Sequence, residues 1–538
     1  RRNKMKKVIV LILVFVMSLT VLFGCNKEST PGEEAKKPMV DPIDDNYRTF
    51  YQVFVGSFSD SNGDGIGDLR GVINRFDYLN DGDINSGKSL GVQGIWLSPI
   101  FSSPSYHKYD TTDYYRIDWR FGTEDDLKEL SNLCEERNVK LILDLVLNHT
   151  STSHPWFKEF QKARMNGDTT NKYYDYYTCV TTAEKKGGVK YQKVAGVDCW
   201  YECNFSGDMP ELNYDNPDVK QAMLDVAKYY LDLGIDGFRF DAIKYIYYGD
   251  TAKSVEFWKW YMEEIYKINP DVYCVGECWS GDTEILDYYA AVNCFNFGMS
   301  QAEGAVARAV KGSSISNFTG YVESLQKNIY KKNPNGMLMP FLSNHDVDRI
   351  AGAFITENYM RMAANMYLLC AGSPVIYYGE EIGMRGSRGG ENTDANRRLA
   401  MLWGDDDEIE NPIGSTYSDD KQIQTTVADQ INDENSLYNY YCKLISIRHK
   451  YPAIARGEYS SFSYDSSLGG FVIKYENETF LLLHNTDTED ATLDLAANSK
   501  LTDYKSYSIR DYIGVGSAKI EGATVTLGGQ TSVIINCK

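Results

Sequence analysis

Eight short apolar runs, spaced by amphipathic or polar stretches, constrain this chain more than any other feature. They lie at 49–58, 92–100, 139–147, 235–242, 272–277, 294–298, 338–343 and 374–378. Between them, 124–137, 219–233 and 254–268 carry apolar residues at helical spacing. Strands joined through helices pair in parallel, and eight of them close into a (β/α)8 TIM barrel. The sixth run and its helix are weakly marked. Asn216-Pro217 supplies a helix start ahead of the second helical stretch. Two segments break the alternation. Residues 150–213, after the third run, are too many for a connecting loop and predict an inserted small domain. Beyond about Ala455 the pattern becomes short alternating strands with turns, as in GGFVIKYENETFLLLHNT, which predicts a C-terminal antiparallel β-sandwich. The expected organisation is therefore leader 1–25, linker 26–46, barrel 47–149, insertion 150–213, barrel 214–454 and β-sandwich 455–538.

The leader has Arg1, Arg2, Lys4, Lys6 and Lys7 before an apolar run over 8–23. That run is short for a membrane span and ends in small residues, as an export signal does. Its end, LFGC at 22–25, resembles the lipobox of bacterial lipoproteins, which implies cleavage before Cys25 and lipidation of its thiol. The protein is then expected at the cell surface of a bacterium, held to the membrane by a polar tether, NKESTPGEEAKKP. A net charge of −20 leaves no basic face for nucleic acid. Eleven cysteines include no CxxC pair, so a thiolate zinc site is not expected. Cys134, Cys274, Cys370 and Cys442 sit in apolar runs as buried thiols, whereas Cys179, Cys199 and Cys203 cluster where one disulfide can form.

In a parallel barrel the functional face is the carboxyl end of the strands. The third run ends at Asn148-His149, the fourth at Arg239-Phe-Asp241, the fifth at Glu277-Cys-Trp279 and the seventh at Asn344-His345-Asp346. Arg239 and Asp241 are two residues apart and so project to one side of a strand. Taken alone they read equally as a structural ion pair, and each histidine (His107, His149, His345) as a core residue. Together, three acids around one mouth suit glycosidic bond cleavage, in which one ionised carboxylate attacks and a second, protonated, serves the leaving oxygen. The guanidinium neighbour marks Asp241 as the ionised group, and the apolar setting of Glu277 marks it as the acid.

The segments DLVLNH, GFRFDAIKY, GECW and FLSNHD, with MPELN at 209–213, resemble the signature regions of the α-amylase family, glycoside hydrolase family 13. SYHKYDTTDYYRIDWRFGT and DSNGDGIGDLRG are similar to its oligo-1,6-glucosidase and neopullulanase-like branches. The resemblance implies Asp241 as nucleophile, Glu277 as acid/base and Asp346 as transition-state stabiliser. It implies that Tyr109, His149, Arg239 and His345 hold the sugar, with Asp110 in support and Lys244 on the leaving side. The substrate expected is an α-glucan, starch or maltooligosaccharide, cut at α-1,4 bonds. An α-glucosidase, an oligo-1,6-glucosidase, a glucanotransferase or an inactive sugar-binding relative are the alternatives. Ala242 follows the α-1,4 pattern, where 1,6-cleaving relatives often carry Val. Tyr245 departs from it, standing where the family usually has His. Trp96, Trp200 and Trp279 are candidate stacking platforms.

After the first run, Asp60-x-Asn62-x-Asp64-Gly-Ile66-Gly-Asp68 sets oxygen donors at alternate positions on a tight turn. Hard cations want such a loop, and structural Ca2+ is the expected ligand, although Gly71 stands where an EF-hand places its last acid. The resemblance agrees and adds the Ile66 carbonyl. It also matches Asn148 to a ligand of a second calcium site, at which Glu211 replaces the more usual Asp.

Overall fold

The computed structural model describes residues 46–83, 86–390 and 393–538; the leader, with Cys25, lies outside them. Among the described residues no helix is long and apolar enough to cross a membrane.

The barrel strands are Phe50–Val53, Gly94–Leu97, Lys140–Leu145, Gly237–Phe240, Tyr273–Gly276, Asn293–Cys294 and Val375–Tyr377. They pair in parallel in the order sixth, fifth, fourth, third, second, first, eighth. The seventh position is not a regular strand. Phe341 makes one parallel bridge to Val375, and Asn296 N donates to Met339 O at 3.1 Å on the other side. Pro340 has no N–H to give a ladder. The Asn296 side chain substitutes for part of it, accepting from Met339 N at 2.7 Å. With this stave in place the ring of eight closes.

These strands are buried on both faces, which explains why they read as continuous apolar runs. They are shorter than the runs, because the runs continue into the turns that carry the polar residues. The helix before the fourth strand spans Pro217–Asp232; Asn216 caps it by accepting from Asp218 N at 2.9 Å, and Pro217 takes the first turn. Thr251–Ile268 follows the fourth strand, and Ala305–Val310 and Ile315–Lys332 follow the sixth.

Within 150–213 lie the helix Pro155–Asn166 and a small sheet of Cys179–Val180, Trp200–Glu202 and Tyr191–Lys193. Cys179 faces Tyr201 across this sheet, which brings it to Cys199, and the two form a disulfide. Cys203 stays a buried thiol, as do Cys134, Cys274, Cys370 and Cys442. Beyond Glu458 a five-stranded and a three-stranded antiparallel sheet enclose a core that includes Phe462, Leu481, Leu483, Val525 and Val533. The larger sheet also packs on the helix Ile315–Lys332, where buried Gln326 bonds both Gly457 O and Tyr459 N at 2.9 Å.

Candidate active site

Arg239 is fully buried at the carboxyl end of the fourth strand and has three carboxylates on its two terminal nitrogens. Nη1 donates to Asp144 Oδ1 and Asp241 Oδ1, both at 2.8 Å, and Nη2 donates to Glu277 Oε2 at 2.5 Å. Strand pairing sets this up, since Asp144 and Val275 flank Arg239 in register on the third and fifth strands. Asp241 and Glu277 follow their strands at once, so both reach the same guanidinium from adjacent staves. Trp96 closes the floor, with its ring 5.2 Å from the guanidinium carbon and its Nε1 donating to Asp144 at 3.3 Å.

The seventh position contributes a second group. Gln52 Nε2 lies 2.8 Å from His345 Nδ1, so the neutral ring carries its proton on Nε2. That nitrogen is 2.6 Å from the Tyr109 hydroxyl and 3.0 Å from Asp346 Oδ2. Tyr109 in turn donates to Asp144 Oδ2 at 2.8 Å, which links both groups into one network. Arg398, from the loop after the eighth strand, donates Nη2 to Asp346 Oδ1 at 2.9 Å and Nε to the His345 carbonyl at 3.0 Å. His149 Nε2 donates to the Tyr109 carbonyl at 3.2 Å. Asp110 accepts from Ser103 Oγ at 2.7 Å and from Ser105 Oγ, bracing the turn that presents Tyr109.

Electrostatics separates the acids. Burial raises Glu277 to about 8, reinforced by the Asp241 and Asp346 charges and opposed by Arg239. Burial likewise lifts Asp144 to about 7. Asp346 goes the other way: burial would raise it, but His345, Arg398 and Arg239 outweigh that and hold it below its ordinary range. Burial keeps His149 and His345 below theirs, hence neutral near pH 7. The site thus holds a protonated carboxyl and an ionised one side by side over a cavity of about 490 Å3.

That cavity is lined by Tyr109, His149, Asp241, Glu277, Trp279 and Asp346, with Phe205 of the insertion and Arg398. Of the three tryptophans expected as platforms, only Trp279 is on this wall. It is 44% exposed and stacks on Phe297 with centroids 5.4 Å apart. Trp96 is core, and Trp200 lies in the insertion under Lys185. Lys244 is tied down, donating Nζ to the Trp279 carbonyl at 2.6 Å. Ala242 adopts φ 49°, ψ 44°, a left-handed conformation that a β-branched side chain tolerates poorly. Tyr245 stacks on Tyr248 with centroids 4.9 Å apart and meets Phe205 at 4.5 Å, so the site's edge is aromatic there.

The acidic loop lies apart from this network. Asp60 accepts from the backbone N–H of Asn62, Gly63 and Gly65 at 2.7–2.9 Å, and Asp64 from that of Ile66 at 3.0 Å. Asp68 caps the helix Leu69–Asn74 through Gly71 N at 2.6 Å and accepts from Ser61 Oγ at 2.8 Å and Asn62 Nδ2 at 3.2 Å. Gly63 and Gly65, at φ 79° and 82°, make the turn. The donors are all hard oxygens, as Ca2+ requires. Among the described residues no group of three or more His, Cys, Asp or Glu side chains is placed to hold a metal ion. Here the carboxylates turn their oxygens onto N–H groups of the loop.

Residues 52–457 match the model of the α-amylase catalytic domain. The chain belongs to the α-amylase family. It is a glycoside hydrolase, and its relatives in the family span several activities. It is 33% identical to Alpha-amylase 3 of Dictyoglomus thermophilum over 539 residues, 98% of each chain. It is 30% identical to the oligo-1,6-glucosidase of Bacillus cereus, over 83% of this chain and 91% of that one. The solved structure of Eubacterium rectale Amy13B superposes with a TM-score of 0.84 at 33% identity, covering 93% of this chain and 97% of that one. Against the α-amylase motifs, Arg398, Asp144 and Gln52 are the site residues that sequence reasoning passed over. Asp144 opens the DLVLNH motif. Arg398 had one signal, a charged pair at Arg397-Arg398 running straight into the apolar Leu-Ala-Met-Leu.

Proposed function

We propose that this enzyme is a retaining α-glucan hydrolase that cleaves α-1,4-glucosidic bonds of starch or maltooligosaccharides. The observation that carries the reading is the shared guanidinium. Arg239 draws Asp241 and Glu277 together, while burial leaves a proton on Glu277. In the first step an Asp241 oxygen attacks the anomeric carbon as Glu277 gives its proton to the departing glycosidic oxygen. In the second, Glu277, now a carboxylate, takes a proton from water as that oxygen attacks the same carbon and frees Asp241. Asp346, ionised and facing the same cavity, stabilises the positive charge that develops on the sugar ring. Tyr109 and His149 line the cavity where the sugar ring sits, His345 orients Tyr109 and Asp346 from behind, Asp110 braces Tyr109, and Lys244 fixes the leaving-side wall at Trp279.

The D. thermophilum relative is named an α-amylase, and Ala242 matches the α-1,4 pattern. The B. cereus relative is named an oligo-1,6-glucosidase, so product analysis decides between them. Soluble starch should yield mixed oligosaccharides early in the reaction. Glucose alone, lengthened oligomers, or cleavage confined to isomaltose-type bonds would replace this reading with an alternative from the same family.

Two further assignments belong to the proposal. The loop Asp60–Asp68, with donors from Asp60, Asn62, Asp64, Asp68 and the Ile66 carbonyl, would hold Ca2+, which stiffens the turn after the first strand. The LFGC sequence would place a lipid on Cys25, anchoring the exported enzyme to the membrane. Radiolabelled palmitate should appear in the wild type and vanish in Cys25→Ser.

A further inference from the structure

A second cavity, of about 630 Å3, opens on the carboxyl-terminal face of the barrel beside the catalytic one. Its size is that of a ligand site. Its walls come from the turns after the sixth, seventh and eighth strands. Two features divide it from the catalytic cavity. Arg397 lines both, pinned by the Asp346 carbonyl at 2.7 Å and Asp348 Oδ1 at 2.8 Å. Phe297 lines the second cavity and stacks on Trp279, which lines the first.

The lining is chemically selective. Gln301, Glu303 and Arg308 make no side-chain hydrogen bond or ion pair with the described residues, so their donors and acceptors are available. Glu303 and Asp348 face Arg308, Arg349 and Arg397; Arg349 is buried and turned onto the Tyr378 and Arg397 carbonyls, so the charges open to a ligand balance, which suits a neutral ligand rich in hydroxyls better than an anion or a metal ion. Gln301 sits at φ 68°, a conformation costly for a side chain of its size, and is held there by its N–H to Leu342 O at 2.9 Å. Strain of this kind collects at ligand sites.

We propose that this cavity binds glucosyl units of the same α-glucan chain whose cleaved bond lies at Asp241 and Glu277, beyond the wall made by Arg397 and the Phe297–Trp279 stack. The inference rests on the α-glucan reading given above. It predicts a preference for long substrates that is set by Gln301, Glu303 and Arg308 and is independent of the carboxylate cluster.

The test uses the full-length enzyme with maltotriose and maltoheptaose. One variant, Gln301→Ala with Arg308→Ala, removes donors. The other, Gly352→Trp, adds bulk to the lining at a position where a Cβ meets nothing within 4 Å. Each should raise KM for maltoheptaose about fivefold, the worth of one or two hydrogen bonds, and leave kcat/KM for maltotriose within about twofold of wild type. Unchanged maltoheptaose kinetics in both variants would overturn the proposal. So would an equal loss on both substrates, which would mean an effect transmitted through Arg397 to Asp346. If the wild type cleaves neither substrate, the α-glucan reading itself fails, an outcome separate from both.

Discussion

The protonation of Glu277 can be tested through pH. An ordinary glutamate at 4.5 is about 0.3% protonated at pH 7, whereas one raised to about 8 is about nine-tenths protonated. Burial therefore increases the share of competent acid about 300-fold at neutral pH. Because the acid form is the active one, the shift predicts an alkaline limb: kcat/KM flat from about pH 6 to 7 and falling about tenfold per unit above about 8. In Glu277→Gln the limb should disappear and the rate on maltooligosaccharides fall about 10²–10⁴-fold. An aryl glucoside whose phenol leaves without protonation separates the acid from the rest of the site. On that substrate Glu277→Gln should retain much of the rate of the first step. The assay is initial rate against pH for both enzymes on both substrates. A limb that persists in Glu277→Gln, or a wild-type midpoint near 4.5, would refute the reasoning.

Arg398→Ala should lower kcat about 10–100-fold, because Asp346 loses a charge-assisted bond and part of the field holding it ionised; the ratio of kcat values at saturating substrate measures it. Asp241→Asn should cut kcat at least about 10⁴-fold while circular dichroism stays native, since the nucleophile alone is lost. Verified removal of Ca2+ should lower the melting temperature, which should recover with added Ca2+ as mass action requires; an unchanged value would count against the loop as a calcium site. Reduction of Cys179–Cys199 should destabilise the insertion by about 3 kcal/mol for its 20-residue separation, read from the denaturation midpoint with and without reductant.

Much of the barrel is visible in the sequence because a strand buried on both faces has to be apolar throughout, and the polar residues that end it then stand out. Arg239, Asp241 and Glu277 were found in this way, and the register of the third, fourth and fifth strands brings them together. The seventh stave looked as regular as the others. Its apolar residues reflect burial, while Pro340 and the Asn296 side chain remove the ladder, and pattern alone does not register that. Arg398 escaped because it belongs to a loop with no periodicity, and its role depends on where the chain returns. The tryptophans make the same point. Trp96 sits within the second strand and floors the guanidinium, whereas Trp279 sits in the turn after the fifth and lines the cleft, a difference set by where each strand ends. The pairing of Cys179 with Cys199, left open among three cysteines, follows from a three-residue strand too short to be read in advance.

The central claim is that Asp241 and Glu277 work as a retaining pair. Proton NMR of the anomer first released from maltoheptaose tests it directly. Two displacements at one carbon must give the α-anomer, which then mutarotates toward equilibrium. Release of the β-anomer first would mean a single displacement by water and would contradict the account.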